Sequence, residues 1–150
     1  MKIVPCLVLL LAVAPSAACG GSSGGDTFSI SGVVSAIGIS KAQVLAADGA
    51  TEGDMCQGAG TMGAFDEGAE VLVLDADGAK VAVGELSAGK IPEGSSELEQ
   101  LGFSMCEFIF EVTDIPASDG LFTLQIDESE TTFKQGDESL KVTIAGDEYP

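Results

Sequence analysis

The chain has no His, no Trp and no Arg, and its one Tyr is Tyr149, beside the last residue. Without His or Arg, the usual acid–base pairs, phosphate clamps and His-containing metal sites have no raw material. Without Trp, and with Tyr149 in a terminal tail, a carbohydrate-stacking platform is also missing. Positive charge is scarce: six lysines face 24 acidic residues, for a formal charge of −18. That balance repels nucleic-acid phosphate rather than binding it. No apolar stripe of helix length recurs at period 3.6, which excludes βαβ crossovers. The reading is therefore of a non-enzymatic protein without a cofactor.

What is present starts with a leader. Lys2 precedes an apolar run from Ile3 to Val13, and the small residues Ala14, Ser16, Ala17 and Ala18 follow. The run is about half the ~20 residues that a membrane-spanning helix needs, so it reads as an export signal over residues 1–18. Cys19 is followed at once by Gly20-Gly21-Ser22-Ser23-Gly24-Gly25, which has no apolar side chain to bury and reads as a flexible tether. Ser16-Ala17-Ala18-Cys19-Gly20-Gly21 resembles the lipobox and tether of bacterial lipoproteins, departing from it at Ser16, where an aliphatic residue is usual. The resemblance implies that Cys19 is lipidated and becomes the mature N-terminus. A protein exported and anchored on the outer face of the membrane, or in the periplasm, is then expected; cleavage without lipid, and secretion, is the alternative. Seven residues of such coil reach about 15 Å. Loss of Lys2 with the leader leaves five lysines against 24 acids, a charge of −19.

Cys6 departs with the leader and Cys19 is the expected lipid site, which leaves Cys56 and Cys106. Two thiols in an exported chain most simply form one disulfide. The alternative is a metal or redox pair, which lacks both a Cys-x-x-Cys spacing and any His.

Beyond the tether, residues 27–150 read as one domain of period-two patterns broken by Gly, Asp and Pro. Phe28 and Ile30 begin a first strand running toward Val34, and Ser40 to Ala47 is a second candidate. Asp48 to Gly68 holds six glycines and reads as a long irregular loop pinned at Cys56. Glu70–Asp75 and Lys80–Leu86 flank Asp75-Ala76-Asp77-Gly78, a hairpin signal because such a turn needs residues tolerant of positive φ. Ser96-Glu97-Leu98-Glu99 fits a capping box for one or two helical turns ending at Gly102. Phe103 to Thr113 reads as the central strand, with Cys106, Phe108, Phe110 and Val112 on one face. Asp114 to Gly120 reads as a turn, and strands follow at Phe122–Ile126, Thr131–Lys134 and Leu140–Ile144.

Seven or eight short strands with one short helical segment predict an all-β protein closed as an antiparallel β-sandwich. The expected core is Phe28, Ile30, Val71, Val73, Val81, Val83, Phe108, Phe110, Val112, Phe122, Leu124, Ile126, Val142 and Ile144. The order Cys56-Gln57-Gly58-Ala59-Gly60, Gly68–Asp75, Gly84-Glu85-Leu86, Cys106–Val112 and Asp114-Ile115-Pro116 resembles small exported actinobacterial proteins of undefined activity. That resemblance implies an immunoglobulin- or transthyretin-type sandwich, and no particular chemistry.

Three acidic features invite a functional reading. Asp75-x-Asp77-Gly78 resembles the start of a calcium loop, making Asp75 and Asp77 the nearest approach to a metal pair. Position five would be Ala79 and position twelve Leu86, so a hairpin turn is the better reading. Asp127-Glu128-Ser129-Glu130 reads as a solvated turn. Glu107 and Glu111, two pleats apart, read as an exposed stripe or an acidic patch awaiting a basic partner. The expected partners are the membrane, through the lipid, and a basic envelope protein or cationic ligand. The Gly-rich segment Asp48–Gly68 is the expected interaction surface, since loops on rigid sandwiches carry recognition. A purely structural spacer, or a weak divalent-cation-binding domain, is the alternative.

Overall fold

The computed structural model describes residues 25–38, 43–137 and 139–146. The leader, Cys19, the tether as far as Gly24, and Tyr149 lie outside the described residues. The chain forms an all-β fold whose strands follow the apolar alternation. They are β1 (Thr27–Gly38), β2 (Val44–Ala46), β3 (Met55–Gly58), β4 (Glu70–Leu74) and β5 (Lys80–Leu86). Then come β6 (Gly89–Lys90), helix α1 (Ser95–Gln100), β7 (Ser104–Pro116), β8 (Leu121–Ile126), β9 (Ser129–Lys134) and β10 (Leu140–Ala145).

The organising element is β7. Along one edge it pairs antiparallel with β1, from Thr27 opposite Pro116 to Gly38 opposite Ser104. Along the other it pairs first with β6, at Lys90 opposite Glu107, and then with β5, at Glu85 opposite Glu111. From β5 the sheet continues through β4 and β8 to β9, and from β6 through β3 to β2. The sheet curls until β8 lies over β1, where Phe28 and Phe122 meet edge to face with ring centroids 5.4 Å apart. Phe122 in turn stacks on Phe133 of β9, at 5.5 Å. The enclosed space is the core, and the architecture is sandwich-like.

Several expectations need correction. Ten strands form among the described residues rather than seven or eight, and the pairing is not wholly antiparallel, since β10 runs parallel to β1 from Gly32–Leu140 to Ile37–Ala145. The segment Asp48–Gly68 is not wholly irregular: it contains β3 and a 3-10 turn at Gly60–Met62. Asp114 is not in a turn. It sits inside β7 with φ 58°, where Thr113 and Asp114 face the single residue Ser29 and make a bulge. The bulge shifts the side-chain parity, so Ile115 joins Val112 in the interior. The capping box fails too: the N-cap of α1 is Gly94, at φ 80°, and no side chain caps the helix.

Of the expected core, Val83 is wrong and Phe28, Val81 and Ile144 are only half-buried. Val71 pairs with Gly84 and Val73 with Ala82, so Ala82, Gly84 and Leu86 are the inward set of β5 while Val83 shares the outer face with Leu72. A side chain at Gly84 would run into the Glu111 carbonyl oxygen, which explains the small residue on that inward face. Val34, Ala36, Val44, Met62, Phe65, Leu86, Ile91, Ile115 and Phe133, with Cys56 and Cys106, complete the core instead.

The β4–β5 hairpin shows what the Asp75 carboxylate does. Its Oδ1 accepts the N–H of Asp77 at 3.0 Å and that of Ala79 at 2.8 Å, while Gly78 takes φ 79°. Replacing Asp75 by alanine should therefore weaken the turn by about 1 kcal/mol, while asparagine retains most of that stability. Denaturant titration of the two variants checks the difference.

Candidate functional site

The registers give the domain two ends. The N-terminal segment enters β1 beside Pro116, and the Ala117 N–H donates to the Asp26 carbonyl at 2.8 Å. Because β5 runs antiparallel to β7, Lys80 and the Asp75–Gly78 turn lie toward this same end. Gly38, Ser104 and α1 mark the opposite end, one strand length away, which for 12 residues of β1 is about 40 Å.

The Gly-rich segment belongs to that far end. β3 pairs with β2 on one side and β6 on the other, and β6 joins it to β7. The Cys56–Cys106 disulfide, with Cα atoms 5.8 Å apart, ties β3 to the centre of the sheet. Gly89 fits between them, because a side chain there would meet the Cys106 Sγ, the Cys56 carbonyl oxygen and the Phe108 ring.

The segment is held by its own polar groups rather than left loose. Gly53 donates to the Ile91 carbonyl at 2.8 Å, and Ile91 donates back to the Asp54 carbonyl at 2.9 Å. The Asp54 carboxylate accepts the Thr51 N–H at 2.7 Å, and Glu52 Oε1 accepts the Gly94 N–H at 2.9 Å. Met62 and Phe65 are buried and anchor the second half of the segment to the core. Two apolar side chains in a Gly-rich stretch were the available signal for this, and glycine content masked it.

Around β2 and β3 the surface is concave. One groove of about 410 Å³ runs between Leu45, Met55, Gln57, Glu67 and Ala88. A second, of about 430 Å³, lies between β2 and the start of β7, with Val44, Ile91 and Met105 in its wall and Asp48 and Glu99 beside them. Leu45 and Met55 are exposed at 47% and 55%. Apolar side chains in water next to carboxylates give a surface able to seat an aliphatic group while attracting a cation.

The acidic residues singled out from sequence fall in separate places. Asp75 and Asp77 sit in the hairpin turn, with the Asp75 oxygen already engaged, and Asp127 and Glu128 form the β8–β9 turn. Among the described residues, no three Cys, Asp or Glu side chains are grouped to hold a metal ion. Glu107 and Glu111 share the outer face of β7 but differ in surroundings. Glu107 accepts a hydrogen bond from Ser35 Oγ at 3.0 Å and stands opposite Lys90, whereas Glu111 stands opposite Glu85.

No family model, curated protein or solved structure matches this chain. None of the helices among the described residues is long and apolar enough to cross a membrane.

Proposed function

We propose that this is a non-enzymatic interaction module of the bacterial cell envelope, exported and tethered by lipid at Cys19. The observation that carries the reading is the polarity of the domain. The N-terminal segment enters at one end of β1, and the Gly-rich segment with its two grooves lies at the other. A tether on Cys19 would hold the first end near the lipid and leave Leu45, Met55 and the acidic rim facing outward. The disulfide fits an oxidising compartment, where such bonds persist. Lipid attachment follows the lipobox-like residues before Cys19, and two or more acyl chains at ~0.8 kcal/mol per buried methylene hold a protein stably.

The test is fractionation. Cys19→Ala should move the protein from the membrane fraction to the medium or periplasm, with the folded domain intact. Membrane retention unchanged by Cys19→Ala would remove the lipid tether from the proposal. Crosslinking from position 45 or 55 in whole cells then reads the outward end: a discrete adduct supports an interaction module, and none at low salt favours a spacer.

A further inference from the structure

The outer face of the sheet carries a feature that the polarity of the domain does not explain. Glu111 of β7 stands directly opposite Glu85 of β5, and Glu85 stands directly opposite Glu70 of β4. Three carboxylates thus form a row across three adjacent strands, spanning roughly 10 Å at the usual strand spacing. All three residues are exposed. Like charges directly opposite each other destabilise a sheet. Lys80 is 3.9 Å from Glu70 Oε1, with both side chains more than half exposed, so it screens one end of the row and little more. Ser31 is the residue opposite Glu111 on the other side, and no lysine is in register with Glu85 or Glu111.

The row is flanked by apolar side chains. One pleat to one side lies Ile109, 63% exposed and paired with Val33; one pleat to the other lies Val83, 41% exposed and paired with Leu72. A concavity of about 570 Å³ lies between Val83, Glu85, Ile109 and Glu111. This is an unpartnered sheet face with a fixed charge pattern, and the pattern selects its occupant. A second copy of the chain would bring a row of glutamates against a row of glutamates. An anionic lipid surface would be repelled in the same way.

We infer that this face docks a basic partner segment whose Lys or Arg side chains lie in line along the Glu111–Glu85–Glu70 row, with aliphatic side chains covering Ile109 and Val83. A helix laid across the strands fits the spacing, since its positions i, i+4 and i+7 span about 10.5 Å along one face. The surface is separate from the Gly-rich end, so the inference stands or falls apart from the interaction proposed there.

The probe is a helical alanine–leucine peptide with lysines at i, i+4 and i+7, compared with one whose three lysines are spread around the helix. Titrated against the mature protein, the aligned peptide should bind about tenfold tighter than the spread one and weaken steeply as salt is raised. Glu85→Lys should abolish the preference while the melting temperature stays equal or rises, because two like-charge pairs are removed. Ile109→Ser should weaken the aligned peptide, and Leu45→Ser with Met55→Ser should leave it unchanged. Should Glu85→Lys fail to fold, Glu111→Gln carries the same comparison. Equal binding of the two peptides, or a preference that survives the charge change, overturns the inference. So does a loss caused by the Leu45 and Met55 changes, which would move the peptide to the Gly-rich end.

Discussion

Replacing Cys56 and Cys106 together by alanine is expected to lower the stability of the domain by about 4 kcal/mol, the chain-entropy value for a closed loop of this length. The separation is 50 residues, and the staple joins a four-residue strand to the start of the longest one, where Cys106 is third of thirteen. Domains of this size are typically stable by about 5–15 kcal/mol, so the loss takes much of the total. Its distribution should be uneven. β3 pairs with β6 over two residues and β6 with β7 over one, so without the bond the Gly-rich end is held to β7 by little backbone pairing. Phe108, Phe110 and Val112 keep their long pairing with β1. Hydrogen exchange on the double variant should therefore show protection falling most over residues 43–68, with β1 and β7 falling less. Uniform loss would mean that the bond stabilises the whole sheet at once; no change in denaturant midpoint would mean that it closes no entropic loop.

Phe110→Ala should cost about 3–5 kcal/mol, which for a domain of this size lowers the melting temperature by about 15 °C. Phe110 is 1% exposed and lies between two strands, opposite Gly32 of β1 and Leu86 of β5. Its ring occupies the space over Gly32, where any side chain would meet ring carbons and the Leu140 carbonyl oxygen. Truncation leaves a void that neither neighbour fills: Gly32 has no side chain, and Leu86 is already packed in the core. The comparison is Ile109→Ala, one residue away and 63% exposed, which should change stability by less than about 0.5 kcal/mol. Thermal unfolding of the pair reads the parity of β7 directly. Similar losses for both would contradict an interior on one face of that strand.

Legibility differed by element. The central β7 and β8 were visible because their apolar residues alternate beside a turn signal, and the β4–β5 hairpin because a continuous apolar run meets an Asp-Gly turn; the structure has each of them. Val83 was misassigned because Val81 and Val83 offer the larger side chains, while the interior there takes Ala82 and Gly84 beneath the β7 backbone. The β7 bulge was hidden in the same way: Asp114, a residue common in turns, here reaches positive φ inside a strand and so carries Ile115 inward. The candidate site was half visible. Glycine content pointed to residues 48–68, but not to their anchoring by Met62 and Phe65 or to the grooves beside β2.

The sequence by itself determined the all-β class, the main strands and the acidic, His-free surface, because alternation and composition are local and additive properties. It also set the pairing of the two sulfurs once the other two cysteines were assigned to the N-terminal segment. Only the tertiary structure decided that β10 runs parallel to β1, that Glu107 is matched by Ser35 and Lys90, and that Glu111, Glu85 and Glu70 stand side by side. Those facts depend on which strand lies beside which and in what register. Within the β4–β5 hairpin the turn sets the register, but β1, β5 and β6 meet β7 across long stretches of chain, and no pattern within a single strand names its partner.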